Sequence, residues 1–316
     1  MPKDFDANDF AKAGRLAGVL SEKEESEPMN DEPEPNEEQV FAAPKSLRDL
    51  VGEHKSLKPP IIHGLLRQGE TMNIISASKI GKSWLVMDLA LAVAQGKPWL
   101  GRPTRAGNVL ILDNELHPET TADRFPRVAG TRSYDPAEYQ DRVFVHNLRG
   151  SLVDLFRMEP YFSRIAPEQY KIIVLDAFYR FLPPKTDEND NAAVASLYNF
   201  IDRMAERLKC AFVLIHHSSK GDQGGKSITD VGSGAGSQSR AADCHFVLRH
   251  HEIPGYIVAD AAPRSWPPVE AFSLRWDFPV WNLAPNVAPE LKTAKTKKSK
   301  AQAAPPVADD VWRGGE

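Results

Sequence analysis

Between about residues 45 and 285 the chain alternates short apolar, β-branched runs with longer segments of helical period. The runs are "MNIIS", "NVLILD", "VFVHN", "KIIVLD" and "AFVLIHH", followed by "CHFVL", "YIVAD" and "FSLRW". The first five are continuously apolar, the pattern of strands covered on both faces. Stretches such as "KSWLVMDLALAVA", "PETTADRFPRVA" and "AAVASLYNFIDRMAERL" separate them, with apolar residues at helical spacing. Strands joined by helices predict a three-layer α/β fold around a mostly parallel central sheet. The last three runs follow one another through short turns and predict antiparallel strands at one edge. There is no internal repeat.

The flanks read differently. "SEKEESEPMNDEPEPNEE" (21–38) is too acidic and proline-rich to bury the apolar area that offsets chain entropy. Residues 1–44 are therefore expected to be a disordered acidic extension, and "FAKAGRLAGVL" within it either a short docking helix or a frayed terminus. Residues 286–316, Lys-rich and then Ala/Pro-rich, are expected to form a disordered tail. The folded domain falls between, at 45–285. No run of about 18 apolar residues exists, and "MPKDFDANDF" lacks the basic-then-apolar order of a secretory signal. With no membrane segment, and with Cys210 and Cys244 each in a hydrophobic run that suits a reduced core thiol, the expected location is cytoplasmic. The net charge of −4 offers nucleic acid no global attraction, so any such surface must be local.

Chemistry enters at "SASKIGKSWLVMDLALAVAQG" (76–96). Gly81-Lys82-Ser83 matches the end of the phosphate-binding pattern G-x-x-x-x-G-K-[ST], but Ser76 occupies the first glycine position. The tripeptide follows a predicted strand (Met72–Ile75) and opens a predicted helix, the setting this motif requires. Backbone N–H groups from Ser78, Lys79, Ile80 and Gly81 onward would cradle phosphates at the helix start. Lys82 would reach the β- and γ-phosphates of ATP and the Ser83 hydroxyl would ligate Mg²⁺. Trp84 either packs beneath the helix or lines the base site. Neighbouring strands end in the remaining parts. "KIIVLDAF" ends in Asp176, placed to hold Mg²⁺ through water. "NVLILDNEL" carries Asp113 and Glu115, either of which could polarise the attacking water. "AFVLIHHSSK" ends in His216 and His217, either able to hydrogen-bond a γ-phosphate. Singly, each has a plainer reading, such as an Asp capping a turn or a surface His pair. No third ligand is spaced to make the His pair a zinc site. In order on successive strands they make a nucleotide site.

From about Leu47 to Asn282 the chain resembles the RecA-type ATPases, in the branch of plasmid RepA-type and DnaB-type hexameric replicative helicases. The segments that carry the likeness are "GLLRQGETMNIISASKIGKSWLVMDLALAVAQG", "VLILDNELHPETTADRF", "IIVLDAF", "LIHHSSKG", "GSGAGSQSRAADC" and "DAAPRSWPPVEAFSLRWDFPVW". That branch tolerates a small residue other than Gly at the first loop position, so Ser76 is an allowed departure. The resemblance implies a RecA-like P-loop core, Glu115 as catalytic base, Asp176 as the Walker B carboxylate, and His216 or His217 as γ-phosphate sensor. It further implies a homo-hexamer or other ring with the nucleotide between subunits. Arg264 in "APRSWPP" matches the arginine-finger position, with Arg240 the alternative finger. Ala262 and Pro263 stand where a second basic residue is common.

Members of this branch pass single-stranded DNA through a central pore gripped by two loops. The corresponding segments here are "YRFLPPKTDENDNAA" and "SSKGDQGGKSITDVGSGAGSQS", with Arg180, Lys220 and Lys226 the candidate phosphate contacts. Asp187, Glu188 and Asp190 count against tight DNA binding by the first. The expected function is thus an ATP-driven ring motor on single-stranded DNA in plasmid, phage or mobile-element replication. The alternative is a nucleotide-controlled assembly switch of the KaiC-like or recombination-mediator kind.

Overall fold

The computed structural model describes residues 43–151, 153–186, 190–218 and 241–292. Contacts divide the chain into two units, Met1–Leu57 and Lys58–Glu316. In the first, the described residues, 43–57, contain helix α1 (Leu47–Glu53). The Ser46 side chain accepts from the Asp49 N–H at 3.2 Å to cap it.

The second unit holds a nine-stranded sheet and a small hairpin, β1 (Pro60–Ile62) with β2 (Leu66–Arg67). The sheet contains β3 (Thr71–Ser76), β4 (Val109–Asp113), β5 (Val143–Asn147), β6 (Ile172–Asp176), β7 (Ala211–His217), β8 (Cys244–His250), β9 (Tyr256–Pro263), β10 (Val269–Asp277) and β11 (Val280–Leu283). Their spatial order is β11-β10-β9-β8-β3-β7-β6-β4-β5. From β8 to β5 all neighbours are parallel, and from β8 outward to β11 all are antiparallel. The expected antiparallel edge is present with one correction. "CHFVL" (β8) pairs parallel with β3 and antiparallel with β9, so it is the seam and not part of the edge. The edge is completed by β11, which short-range pattern did not predict.

Three layers follow from burial. Every residue of β3, β4 and β6 is buried. One face of the sheet, with Met72, Ile74, Ile111, Val174, Val213 and Phe246, packs on helices α2 (Lys82–Gln95) and α3 (Pro118–Thr131). The other, with Leu112, Ile173, Leu175, Phe212 and Leu214, packs on α6 (Asn191–Leu208). Two four-residue helices, α4 (Pro136–Tyr139) and α5 (Glu159–Phe162), complete the set. Helix α2 is apolar nearly all round because it is enclosed. Helix α6 is amphipathic, capped by the Asp190 carboxylate, which accepts from the Ala192 and Ala193 N–H groups. No helix among the described residues is long and apolar enough to cross a membrane.

Residues 286–292, expected to belong to the tail, are held to the sheet. Leu291 bridges His251, the Lys292 N–H donates to the His250 carbonyl at 2.9 Å, and the His251 ring contacts the Ala288 carbonyl at 2.7 Å. The backbone pairing offsets the low apolar content that made this stretch look unstructured.

Candidate functional site

The carboxyl ends of β3, β7, β6 and β4 lie side by side, with neighbouring strands about 4.8 Å apart. Register aligns Ser76 with His217 and Asp113 with Asp176. The phosphate-loop residues, Asp176, Glu115 and the two histidines are therefore delivered to one edge from four strands scattered in sequence.

The loop after β3 turns through Lys79 (φ 64°) and Gly81 (φ 92°), and Gly81 caps α2. A left-handed φ alone favours glycine at position 81. A second reason comes from far along the chain, since a Cβ there would lie 3.1 Å from Trp281 Nε1 and 3.6 Å from the Trp276 ring. Ser76 needs no such conformation. It is the last residue of β3, fully buried, outside the positive-φ set, with its hydroxyl donating to the Ala77 carbonyl at 3.0 Å.

Lys82 is buried, and its ammonium donates to the Ser76 and Ala77 carbonyls and to His217 Nδ1, each at 3.2 Å. Burial lowers its pKa, while the Asp176 and Glu115 carboxylates act to raise it. The other His217 nitrogen, Nε2, lies 3.6 Å from Glu115 Oε1, and the Ser78 hydroxyl is 3.4 Å from Nδ1. With Nδ1 accepting from Lys82, Nε2 carries the proton toward Glu115. Contact with His217 is the main reason that the Glu115 carboxyl sits below its ordinary value.

Geometry separates the members of two candidate pairs. Asp113 Oδ1 accepts the N–H groups of Glu115 (2.7 Å) and Leu116 (2.9 Å), so Asp113 shapes the turn that presents Glu115. His216 points to the opposite face from His217, as alternation along a strand requires. It is buried against Phe178, with the Tyr198 hydroxyl 3.4 Å from Nε2, and burial drives its pKa down to about 3. His216 is a neutral core group, which corrects its inclusion among the catalytic candidates.

Asp176 is buried beside Asp113 and Glu115, and burial with this crowding raises its pKa to about 8. Two of these carboxyls, Asp176 and Glu115, act on the one buried ammonium of Lys82. No group of three or more His, Cys, Asp or Glu among the described residues could hold a metal unaided. Asp176 with the Ser83 hydroxyl suits Mg²⁺, which takes one or two protein oxygens and completes its shell with phosphate and water.

Trp84 lies at the loop's exit, edge-on to Phe278 at 5.3 Å with the Arg124 guanidinium 4.7 Å above its ring. This aromatic shelf, with Trp276 and Trp281 on Gly81, was not foreseen from sequence, because no local motif links β10 and β11 to the loop. Arg180 lies one residue from Tyr179, whose ring is 5.8 Å from His217. Arg264 sits at the other end of the sheet, in the turn after β9, where Pro263 pairs Cys244 and Cys244 pairs Met72. It pairs with Asp243 at 3.3 Å and cannot serve its own loop. Lys220, Lys226 and Arg240 lie outside the described residues.

Residues 37–223, more than half of the 316-residue chain, match the family model described as an AAA domain. The chain belongs to the AAA domain family. Among solved structures, the AAA domain is similar to one described as an "ATPase Domain", at a TM-score of 0.55 and 11% identity, over 75% of this chain and 95% of that one. A looser likeness, at a TM-score of 0.46 and 16% identity, links it to the RadB recombinase over 66% of this chain and 87% of that one. The fold is that of the RecA-type P-loop ATPases.

Proposed function

We propose that this AAA domain binds ATP with Mg²⁺ and hydrolyses it, as a cytoplasmic ring motor acting on single-stranded DNA. The observation that carries the ATPase reading is the meeting of Lys82, Glu115, His217 and Asp176 at four adjacent strand ends. Entering phosphates replace the Ser76 and Ala77 carbonyls and His217 as partners of the Lys82 ammonium. The N–H groups of residues 78–84 at the start of α2 face the phosphates. Ser83 and Asp176 would hold Mg²⁺, which would supply neutralisation of phosphate charge. Released from His217, Glu115 accepts a proton from the attacking water as its oxygen bonds to the γ-phosphorus. The bond to the β–γ bridging oxygen breaks, and ADP departs with that electron pair. His217 Nε2–H then donates to the γ-phosphate and senses its loss. Trp84 and Phe278 offer a face to the base.

Arg264 would complete the site of a neighbouring copy, which its exposed position at the far end of the sheet favours. The ring and its DNA rest on the family likeness, with Lys220 and Lys226 as contacts. The experiment is steady-state ATP hydrolysis with and without a long single-stranded oligonucleotide. Several-fold stimulation is the expected outcome. Turnover indifferent to DNA would replace the motor with an assembly switch, and absence of turnover would remove the ATPase reading.

A further inference from the structure

We propose that Arg180 is a catalytic residue of the nucleotide site, contacting the γ-phosphate within its own chain from a rigid turn beside His217. The inference rests on the ATPase reading above and extends it to a residue that sequence had assigned to nucleic acid.

The turn is a 3₁₀ segment, Phe178–Phe181, that follows Asp176 almost directly. Its two phenylalanines anchor it. Phe178 packs on His216 (4.8 Å) and Tyr198 (5.7 Å), and Phe181 is fully buried with its carbonyl accepting from the Leu155 N–H at 2.9 Å. Between them Tyr179 and Arg180 face outward, and the Arg180 N–H donates to the Ala177 carbonyl at 3.1 Å. Arg180 is thus mounted on packed structure, while the acidic residues that count against DNA binding by this loop lie further along the chain.

Its side chain lies against Tyr179, which borders the site. Arg180 Nε donates to the Tyr179 hydroxyl at 3.0 Å, and that tyrosine ring lies 5.8 Å from His217. His217 touches both Lys82 and Glu115. Arg180 is also one of the cations that depress the Glu115 carboxyl, after the larger effect of His217.

Charge balance gives the guanidinium a task. ATP with one Mg²⁺ brings about two negative charges to a site where the Glu115 carboxylate already faces the Lys82 ammonium. Charge moves outward onto the γ-phosphoryl oxygens during transfer. His217 gives one hydrogen bond there. A guanidinium supplies a permanent charge and a planar fork of donors matched to phosphate oxygens.

The test compares wild type with Arg180→Ala, Arg180→Lys and Lys82→Ala, first without nucleic acid and then with a long single-stranded oligonucleotide. Nucleotide binding is read with ATPγS, and transition-state capture with ADP and aluminium fluoride. Arg180→Ala should bind ATPγS within about threefold of wild type, lose turnover by roughly 10³-fold, and fail to retain ADP–aluminium fluoride. Arg180→Lys should recover part of both losses. Wild-type turnover and capture in Arg180→Ala would overturn the inference, as would a defect confined to stimulation by single-stranded DNA. ATPγS binding unaffected by Lys82→Ala would instead remove the nucleotide site itself, and this inference with it.

Discussion

Arg132 joins three elements through one guanidinium. From the end of α3 it donates to both Asp88 carboxylate oxygens on α2, Nε to Oδ1 at 2.8 Å and Nη2 to Oδ2 at 2.7 Å. It also donates to Asn282 Oδ1 (2.7 Å) and the Trp281 carbonyl (3.0 Å) on β11. Arg132→Met keeps the aliphatic stem and removes all four hydrogen bonds. The Asp88 side chain is only 3% exposed, so its carboxylate would be left buried and uncompensated. Breaking a buried pair in this way costs about 3–5 kcal/mol. The Arg132 side chain is 23% exposed, which allows water to approach and places the expected loss near the lower end, at about 3 kcal/mol. For a unit of this size that corresponds to a fall in Tm of roughly 6–12 °C. Arg132→Lys, which can reach Asp88 without the fork, should lose about half as much. Combining Arg132→Met with Asp88→Leu should cost less than the sum of the two single changes. Urea unfolding of the wild type and the four variants at pH 7 measures each term. The ATP dissociation constant should rise too, because β11 carries Trp281 against Gly81 at the loop. A loss below about 1 kcal/mol for Arg132→Met would refute the claim that this pair holds the hairpin to the nucleotide helix.

Two further outcomes follow from the site. Glu115→Gln should keep ATP affinity while lowering turnover by at least about 10²-fold, since the amide cannot take the water's proton. Near-normal turnover would return the role of base to another group. Burial holds the His216 pKa at about 3 against an ordinary 6.5. Between those values the unfolded chain binds the extra proton, so this stability contribution is intact at pH 7 and is eroded as pH falls below 6.5. The loss is about 1.4 kcal/mol per pH unit, or roughly 2 kcal/mol by pH 5. His216→Asn should have a shallower slope between pH 7 and pH 5, and identical slopes would show that His216 is not held neutral.

The sequence by itself determined the layers and the chemistry of the loop. Strands buried on both faces must be apolar throughout, so β3, β4, β6 and β7 were legible as continuous runs. A loop whose backbone must approach phosphate, opening a helix with a lysine, is confined to a few adjacent residues. Gly81, Lys82 and Ser83 therefore stood out even with Ser76 before them. Tertiary structure decided what depended on distant partners. The seam position of β8 rests on its pairing with β3, about 170 residues earlier in the chain, and no local pattern encodes it. Alternation requires His216 and His217 to face opposite ways, but only the positions of α6 and Lys82 decide which one enters the site. The packing of Trp281 on Gly81 and the placing of Arg180 beside Tyr179 and His217 belong to the same class. Local sequence sets residue chemistry and backbone preference, whereas side-chain direction and long-range pairing are settled by which surfaces are left to cover.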